Sequence, residues 1–235
     1  LLKATHNGRP CALKRFQLTG EAQSRRALMK EVRLLRELIH PHIATIEAVF
    51  EEVEKQVLYA YVQLPFCSGG DMRGWIRKHD PSILSRKLLL YQACLALAYI
   101  HTHQPCVAHG DFKLENLLVS IEGEHTTVLL TDFESACKME STTTSACMSS
   151  MQREQNAALY TKLYVAPERL AAMTNGDWDG SKPSPPADMY AFGVCCLLAL
   201  SFSAADAGND EALIKLLVDR SHLQTMDKYL PDFLD

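Results

Sequence analysis

Apolar and polar residues alternate over short segments at the start of the chain and recur at helical spacing over longer segments further on. The short segments predict four strands, over residues 1–4, 10–16, 43–51 and 55–66. Between the second and the third, apolar residues at i, i+4, i+7 and i+11 predict an amphipathic helix over residues 22–39. These apolar residues are Leu28, Val32, Leu35 and Ile39. The start of the chain therefore predicts a small lobe of strands and one helix.

Helical spacing dominates after this point. Helices are predicted from Met72, over residues 82–103, from Asp188 and over residues 211–219. In the second of them, the residues close to a single face are Leu84, Leu88, Tyr91, Leu95, Ala98 and Tyr99. The change in composition near residues 64–70 marks a boundary between two lobes. We therefore expect an α+β fold with a small β-rich N-lobe over residues 1–66 and a large helical C-lobe over residues 67–235.

Composition narrows the classes of function. With 47% hydrophobic and 22% charged residues and a net charge of -4, the sequence is typical of a soluble globular protein and gives no support for nucleic-acid binding. No apolar run predicts a membrane span, and the longest, over residues 189–205, indicates a buried helix. The eight cysteines form no Cys-x-x-Cys pair and predict reduced thiols of an intracellular protein. We expect a cytoplasmic location, with the nucleus as the alternative.

A polar block at residues 109–116 interrupts two short apolar runs that predict buried strands. Polar side chains that lie between two buried strands must either point into a cleft or find hydrogen-bonding partners. The side chains of this block suit phosphoryl transfer. Asp111 can accept a hydroxyl proton, Lys113 can neutralise a phosphate and Asn116 can hold a divalent metal. The alternative for so short a motif is a polar loop between strands.

Other polar residues lie where they can support this block. Lys14 stands on a predicted strand, either solvated or at a lobe interface, and Glu31 lies beside the apolar face of the first helix, where an acid needs a cationic partner. Asp132 ends an apolar strand sixteen residues after Asn116, a separation that brings both to one end of a hairpin. The hydroxyl-rich residues 135–160 are either a plain surface loop or a regulatory loop with phosphorylation sites.

Six segments now occur in one order along nearly the whole chain. They are Ala12-Leu13-Lys14, Glu31, His109-Gly110-Asp111-Phe112-Lys113-Leu114-Glu115-Asn116, Asp132-Phe133-Glu134, Ala166-Pro167-Glu168 and Asp188-Met189-Tyr190-Ala191-Phe192-Gly193. Together they resemble the eukaryotic protein kinase family, and Lys113 resembles its serine/threonine type. The resemblance implies a two-lobed kinase fold, ATP and Mg²⁺ as cofactors, and a protein substrate.

The resemblance also implies roles for single residues. Lys14, paired with Glu31, would hold the α- and β-phosphates, Asp111 would deprotonate the substrate hydroxyl and Lys113 would stabilise the γ-phosphate. Asn116 and Asp132 would bind magnesium. The residues that would contact the nucleoside are Ala12, Leu64, Pro65, Cys67, Asp71 and Leu118. An apolar column that couples the lobes would comprise Leu35, Ile46, His109 and Phe133, with Asp188 bracing the loop, and Thr161 would contact Asp111 and Lys113.

Two departures from the family pattern bear on activity. Gly110 stands where many kinases have an arginine that receives the phosphate of an activation loop, and Glu134 replaces a glycine beside the metal site. They motivate an alternative function, a pseudokinase that acts as a nucleotide-binding or scaffold module. A small-molecule phosphotransferase is a third interpretation. The glycine-rich phosphate loop is expected before Leu1 and the last large-lobe helices after Asp235, so the domain is expected to be partial. The sequence leaves the oligomeric state open.

Overall fold

A computed structural model describes residues 1–18, 22–139, 163–177 and 179–201, except the side chains of residues 22–24 and 27. Three features predicted from the sequence lie outside the described residues: most of the hydroxyl-rich loop, Thr161 and the helix over residues 211–219. Within the described ranges the fold consists of two sheets, a short strand pair and five helices.

The N-lobe is an antiparallel sheet of four strands with one helix packed on it. The strands are β1 (Leu2–His6), β2 (Arg9–Gln17), β3 (Ala48–Glu54) and β4 (Val57–Pro65), in the order β1-β2-β4-β3. Helix α1 (Ala22–Glu37) buries Leu28 and Val32 against Ala60, Val62 and Leu64 of β4. The four strands and the helix are present as predicted, except that β3 begins at Ala48 rather than at residue 43. The packing holds α1 against the face of the sheet that carries Lys14.

Helix α1 ends earlier than its apolar spacing predicts. Ile39 was expected on the buried face, but it is 76% exposed, and Leu38 is buried instead. The side-chain hydroxyl of Tyr99 accepts a hydrogen bond from the backbone N–H of Ile39 at 3.1 Å. Pro41 excludes helical geometry for the residue before it, so the chain leaves the helix and turns Ile39 outward.

The described part of the C-lobe contains four helices and the remaining strands. The helices are α2 (Met72–His79), α3 (Ile83–Thr102), α4 (Pro167–Thr174) and α5 (Pro185–Ser201). The strands β5 (Gly70–Asp71), β7 (Leu117–Glu122) and β8 (His125–Leu130) form one sheet, and β6 (Val107–Ala108) pairs with β9 (Cys137–Lys138). The hydrophobic core lies between α3, α5 and the β7–β8 hairpin. The predicted change from a β-rich to a helical lobe is confirmed.

Helix α3 corrects one expectation. Within the described residues it is the one helix long and apolar enough to cross a membrane, by length and composition alone. It is the central helix of the C-lobe core, where Leu97 is completely buried. Buried Arg86 on the same helix donates to the backbone oxygens of Pro81 and Ala199 at 2.9 and 3.0 Å. The stripe from Leu84 to Leu95 faces outward instead.

The described cysteines follow the prediction with one exception. Among the described residues, the free thiols are those of Cys11, Cys67, Cys94, Cys106, Cys195 and Cys196. Burial raises the pKa of Cys67 to about 11 and, with a smaller contribution from Cys94, that of Cys196 to about 12. These two thiols are therefore neutral at physiological pH. Cys137 is disulfide-bonded, so the expectation of eight reduced cysteines is wrong at that residue.

The two faces of α3 give a stability prediction. We expect Leu97→Ala to lower the free energy of unfolding by about 2–5 kcal/mol, because it leaves a cavity at a fully buried position. Leu88→Ala is the matched control on the 54% exposed side, and we expect it to cost about 0.5 kcal/mol or less. Urea denaturation of the two variants measures both values. Equal losses would contradict the assignment of the buried face.

Candidate active site

Lys14 joins the two lobes through a cluster of carboxylates. Its position on β2, opposite Val62 of β4, directs its Nζ toward α1 and the turn after β8. The Nζ lies 3.0 Å from Glu31 Oε1, 2.8 Å from Asp132 Oδ1 and 3.1 Å from Glu134 Oε1. The structure thus brings together the predicted pair of lysine and glutamate, and adds two acids of the C-lobe.

The charged groups of this cluster shift one another's pKa values. Burial would lower the pKa of Lys14, but the carboxylates of Glu31, Asp132 and Glu134 outweigh it and raise that pKa above its ordinary value. Burial raises the pKa of Glu31, which Lys14 offsets only in part. Burial would likewise raise the pKa of Asp132, but the ammonium group of Lys14 holds that pKa below its ordinary value. Lys14 and Asp132 are therefore both charged at neutral pH.

The polar block at residues 109–116, called the catalytic loop from here on, places its polar groups around Asp111. Lys113 Nζ lies 2.6 Å from Asp111 Oδ2. The side-chain Nδ2 of Asn116 donates to the backbone oxygen of Asp111 at 2.7 Å and to its Oδ2 at 3.2 Å. Residues 114–116 form a single 3₁₀ turn that lets the loop reverse into β7. The three predicted residues therefore share one small site.

The β7–β8 hairpin brings Asn116 beside Asp132. Leu117 of β7 pairs with Leu130 of β8, and the backbone N–H of Thr131 donates to the backbone oxygen of Asn116 at 3.0 Å. Asp132 is the next residue, and its φ of 64° turns its side chain back toward Lys14. The expectation from the sixteen-residue separation is confirmed: both polar residues lie at one end of the hairpin.

His109 is a structural residue in this loop. Its Nε2 donates to the backbone oxygen of Thr131 at 3.0 Å, and its Nδ1 accepts from the backbone N–H of Asp111 at 3.4 Å. Its ring packs edge-on against Phe133, with 4.8 Å between centroids. With both nitrogens engaged and no exposed surface, His109 has no free position for proton transfer to a substrate. It anchors the loop and joins Phe133 and Leu35 in the buried column.

The residues expected at the nucleoside lie along the junction of the lobes. Ala12 of β2 pairs with Leu64 of β4, and Pro65 ends that strand. Cys67 follows and is buried, and Leu118 of β7 pairs with Asp71 of β5. Asp71 also caps α2, since its Oδ1 accepts from the backbone N–H of Gly74 at 2.8 Å. Its predicted contact with a ribose would therefore use the remaining acceptor capacity of a carboxylate that already holds a helix end.

Gly110 has no room for a side chain. Its φ is +82°, and a Cβ atom there would lie 2.7 Å from the backbone oxygen of Ser135 and 2.8 Å from Cγ of Pro183. Such a φ already favours glycine. The structure therefore explains why this position lacks the arginine found in many kinases: the ring of Pro183 and the backbone at Ser135 fill the adjoining space.

Sequence reasoning missed Arg169, which contacts the catalytic loop from α4. Its guanidinium group is buried and donates from Nη1 to the backbone oxygen of Gly110 at 3.2 Å and from Nε to that of Ser181 at 3.0 Å. A planar cation with several donors suits two carbonyl oxygens that diverge. The sequence signal was weak, because Arg169 only follows Pro167-Glu168 and lies 59 residues from Gly110.

The donor set fits a divalent cation shared with a phosphate. Asp132 supplies a carboxylate, and Asn116 keeps its side-chain oxygen for a metal because its Nδ2 donates to Asp111. Oxygen ligands suit Mg²⁺, which is usually held by one or two protein groups together with substrate phosphates and water. Within the described ranges, no group of three or more His, Cys, Asp or Glu residues could enclose a metal by itself.

The known proteins that this sequence matches are protein kinases. A family model described as the protein kinase domain matches residues 1–227. A bifunctional serine/threonine-protein kinase/NEDD4-like E3 ubiquitin-protein ligase of Dictyostelium discoideum is 29% identical over 81% of this chain and 9% of its own length. The serine/threonine-protein kinases TAO3 of Homo sapiens and Nek1 of Mus musculus are 26% and 27% identical over 82% and 94% of this chain. The chain spans only 19% and 17% of their lengths.

The environment of Gly110 gives a testable prediction. We expect Gly110→Ala to destabilise the protein by about 2–5 kcal/mol, because a positive φ and two close contacts act together. Gly123→Ala is the matched control, since Gly123 also has a positive φ but a methyl group there would meet no neighbour within 4 Å. Its expected cost is about 1–2 kcal/mol from backbone strain alone. Chemical denaturation compares the two, and a similar loss in both would show that the space beside Gly110 is not restrictive.

Proposed function

The chain belongs to the protein kinase family, and on that premise we propose that it transfers the γ-phosphate of Mg-ATP to serine or threonine hydroxyls of a protein substrate. The observation that carries this proposal is the arrangement around Asp111. Its carboxylate lies beside the ammonium group of Lys113 and the side-chain amide of Asn116, with Asp132 at the same end of the hairpin. These are the groups that phosphoryl transfer needs for proton acceptance, charge neutralisation and metal binding.

Each residue has a part in the transfer. Asp111 orients the substrate hydroxyl and accepts its proton as the oxygen bonds to the γ-phosphorus and the bond to the bridging oxygen breaks. Lys113 lies 2.6 Å from that carboxylate and offers positive charge where the transferred group gains negative charge. Lys14, held by Glu31, would fix the nucleotide phosphates from the N-lobe. Asn116 and Asp132 would hold Mg²⁺, which supplies charge neutralisation when bound.

The pseudokinase alternative is less well supported. It was motivated by Gly110 and Glu134, but neither residue displaces Asp111 or breaks the contact between Lys14 and Glu31. The curated relatives named above carry the name serine/threonine kinase, which favours a protein substrate over a small molecule. An ATP-dependent enzyme whose described residues include six free thiols also fits a cytoplasmic or nuclear location. The disulfide at Cys137 does not add support to the proposed location.

The role of Asp111 can be tested by substitution. We expect Asp111→Asn to lower turnover of Mg-ATP with a generic serine- and threonine-containing protein by about 10²–10⁴-fold, because the amide cannot accept the hydroxyl proton. Mg-ADP affinity should change little, because Asp111 does not hold the nucleotide in this proposal. The assay uses the full-length protein and measures the transfer of radiolabelled γ-phosphate from Mg-ATP to the substrate protein.

Asp179→Asn is the matched control, since it makes the same change at a carboxylate that is 80% exposed and pairs with Lys182 instead of a residue of the catalytic loop. We expect this variant to keep the turnover of the unaltered protein. Full activity of Asp111→Asn would contradict the proposed mechanism.

A further inference from the structure

The peptide group between Gly110 and Asp111 carries the proposed base of the reaction. Its carbonyl oxygen accepts from Nη1 of Arg169 at 3.2 Å, and its N–H donates to Nδ1 of His109 at the longer distance of 3.4 Å. The carbonyl oxygen on the other side of Asp111 accepts from Nδ2 of Asn116 at 2.7 Å. The backbone on both sides of the base is therefore held by side chains.

Gly110 makes the first of these peptide groups the one that most needs a restraint. Without a Cβ atom, a glycine has more accessible backbone conformations than any other residue. Rotation about its Cα–C bond would swing the carboxylate of Asp111 out of place. Oδ1 of Asp188 accepts from the N–H of Gly110 at 2.9 Å and fixes the preceding peptide group, while Arg169 fixes the following one. Charged groups from α5 and α4 thus hold both backbone groups of this glycine.

Arg169 is itself held in one orientation. The residue is 5% exposed, and its Nε donates to the backbone oxygen of Ser181 at 3.0 Å. Two residues further on, Pro183 fills the space beside Gly110. The guanidinium group therefore ties the backbone of Gly110 to the segment that packs against it. A planar group with diverging N–H donors can serve two carbonyl oxygens at once, whereas an ammonium group is a single point charge on a flexible stem.

We infer that Arg169 is a positioning residue for phosphoryl transfer, which acts through the Gly110–Asp111 peptide group and keeps the carboxylate of Asp111 in line with the substrate hydroxyl. The inference rests on the proposed function, because it assigns a residue that acts through the proposed base. A misplacement of about 1 Å in an active site can lower a rate about 10²-fold. Loss of Arg169 should therefore lower kcat more than nucleotide affinity, which is assigned to Lys14 and the metal ligands.

Two buried arginines are compared in the full-length protein. Arg169→Gln removes the charge and the fork of donors at the catalytic loop. Arg86→Gln is the matched control, since Arg86 is 3% exposed on α3 and also donates to two backbone oxygens, those of Pro81 and Ala199. We expect both variants to lower the Tm, whereas kcat per folded molecule falls about 10–100-fold in Arg169→Gln alone. The Kd for Mg-ADP should change less than about threefold in both.

A double-mutant cycle separates positioning from a general loss of structure. If Arg169 acts through Asp111, Arg169→Gln should lower kcat less than about threefold further in the Asp111→Asn background. A purely structural effect would lower kcat by the same factor in both backgrounds. Arg169→Lys keeps the charge but supplies it from one nitrogen, so its kcat should lie between those of the unaltered protein and Arg169→Gln. It takes the place of Arg169→Gln in the cycle if that variant does not fold.

Phosphate transfer to a generic serine- and threonine-containing protein gives kcat, and calorimetry gives the Kd for Mg-ADP. The inference is overturned if the substitution at Arg169 leaves kcat equal to that of Arg86→Gln, or lowers it by one factor in both backgrounds, while the unaltered protein transfers phosphate. If the unaltered protein transfers none, the proposed function itself fails, so the two failures are distinguishable.

Discussion

The buried carboxylate of Asp188 is the group on which the geometry of the catalytic loop depends. Its Oδ2 accepts from the backbone N–H of His109 at 2.7 Å, and its Oδ1 accepts from that of Gly110 at 2.9 Å. His101 Nε2 lies 3.0 Å from the same Oδ2. A buried carboxylate without such donors would be costly, and two unpaired N–H groups would be costly as well. The carboxylate on α5 and the backbone N–H groups of the loop satisfy each other's hydrogen-bonding capacity. Asp111 is therefore held to the C-lobe core rather than left on a free loop.

The other side of the loop is held by groups that the kinase pattern does not supply. The carbonyl oxygen of Gly110 accepts from Arg169, while Pro183 and Ser135 close the space beside its Cα. An arginine at position 110 would offer a cation to a phosphorylated segment, but glycine offers none. The two loop residues before Asp111 are thus fixed by contacts from α4, α5 and the segment that precedes α5. Within the described part of the chain, these contacts hold the loop from both sides.

Much of the site was predictable because short-range patterns encode it, as hairpin separation alone places Asn116 beside Asp132. Other features depend on distant residues that no local pattern contains. The crowding at Gly110 is of this kind, since it comes from the backbone of Ser135 and from a proline 73 residues later in the chain (183 − 110). Helix α3 shows a different limit, because hydrophobic periodicity identifies a buried face only when the opposite face is polar. Both faces of α3 are apolar. Spacing therefore cannot tell which of Leu88 and Leu97 is more buried, although the first is half exposed and the second completely buried.

The two departures from the kinase pattern differ in what they change. Gly110 changes how the catalytic loop is supported, and the contacts of Arg169 and Pro183 keep Asp111 in place without altering the charge around it. Glu134 leaves the backbone of its turn unstrained and instead alters the charge at the lysine that joins the lobes. A backbone substitution of this kind can be compensated by packing from neighbouring elements. A charge substitution cannot, because only an opposite charge cancels it. The electrostatic balance at that lysine is therefore where this chain differs most in chemistry from the family pattern.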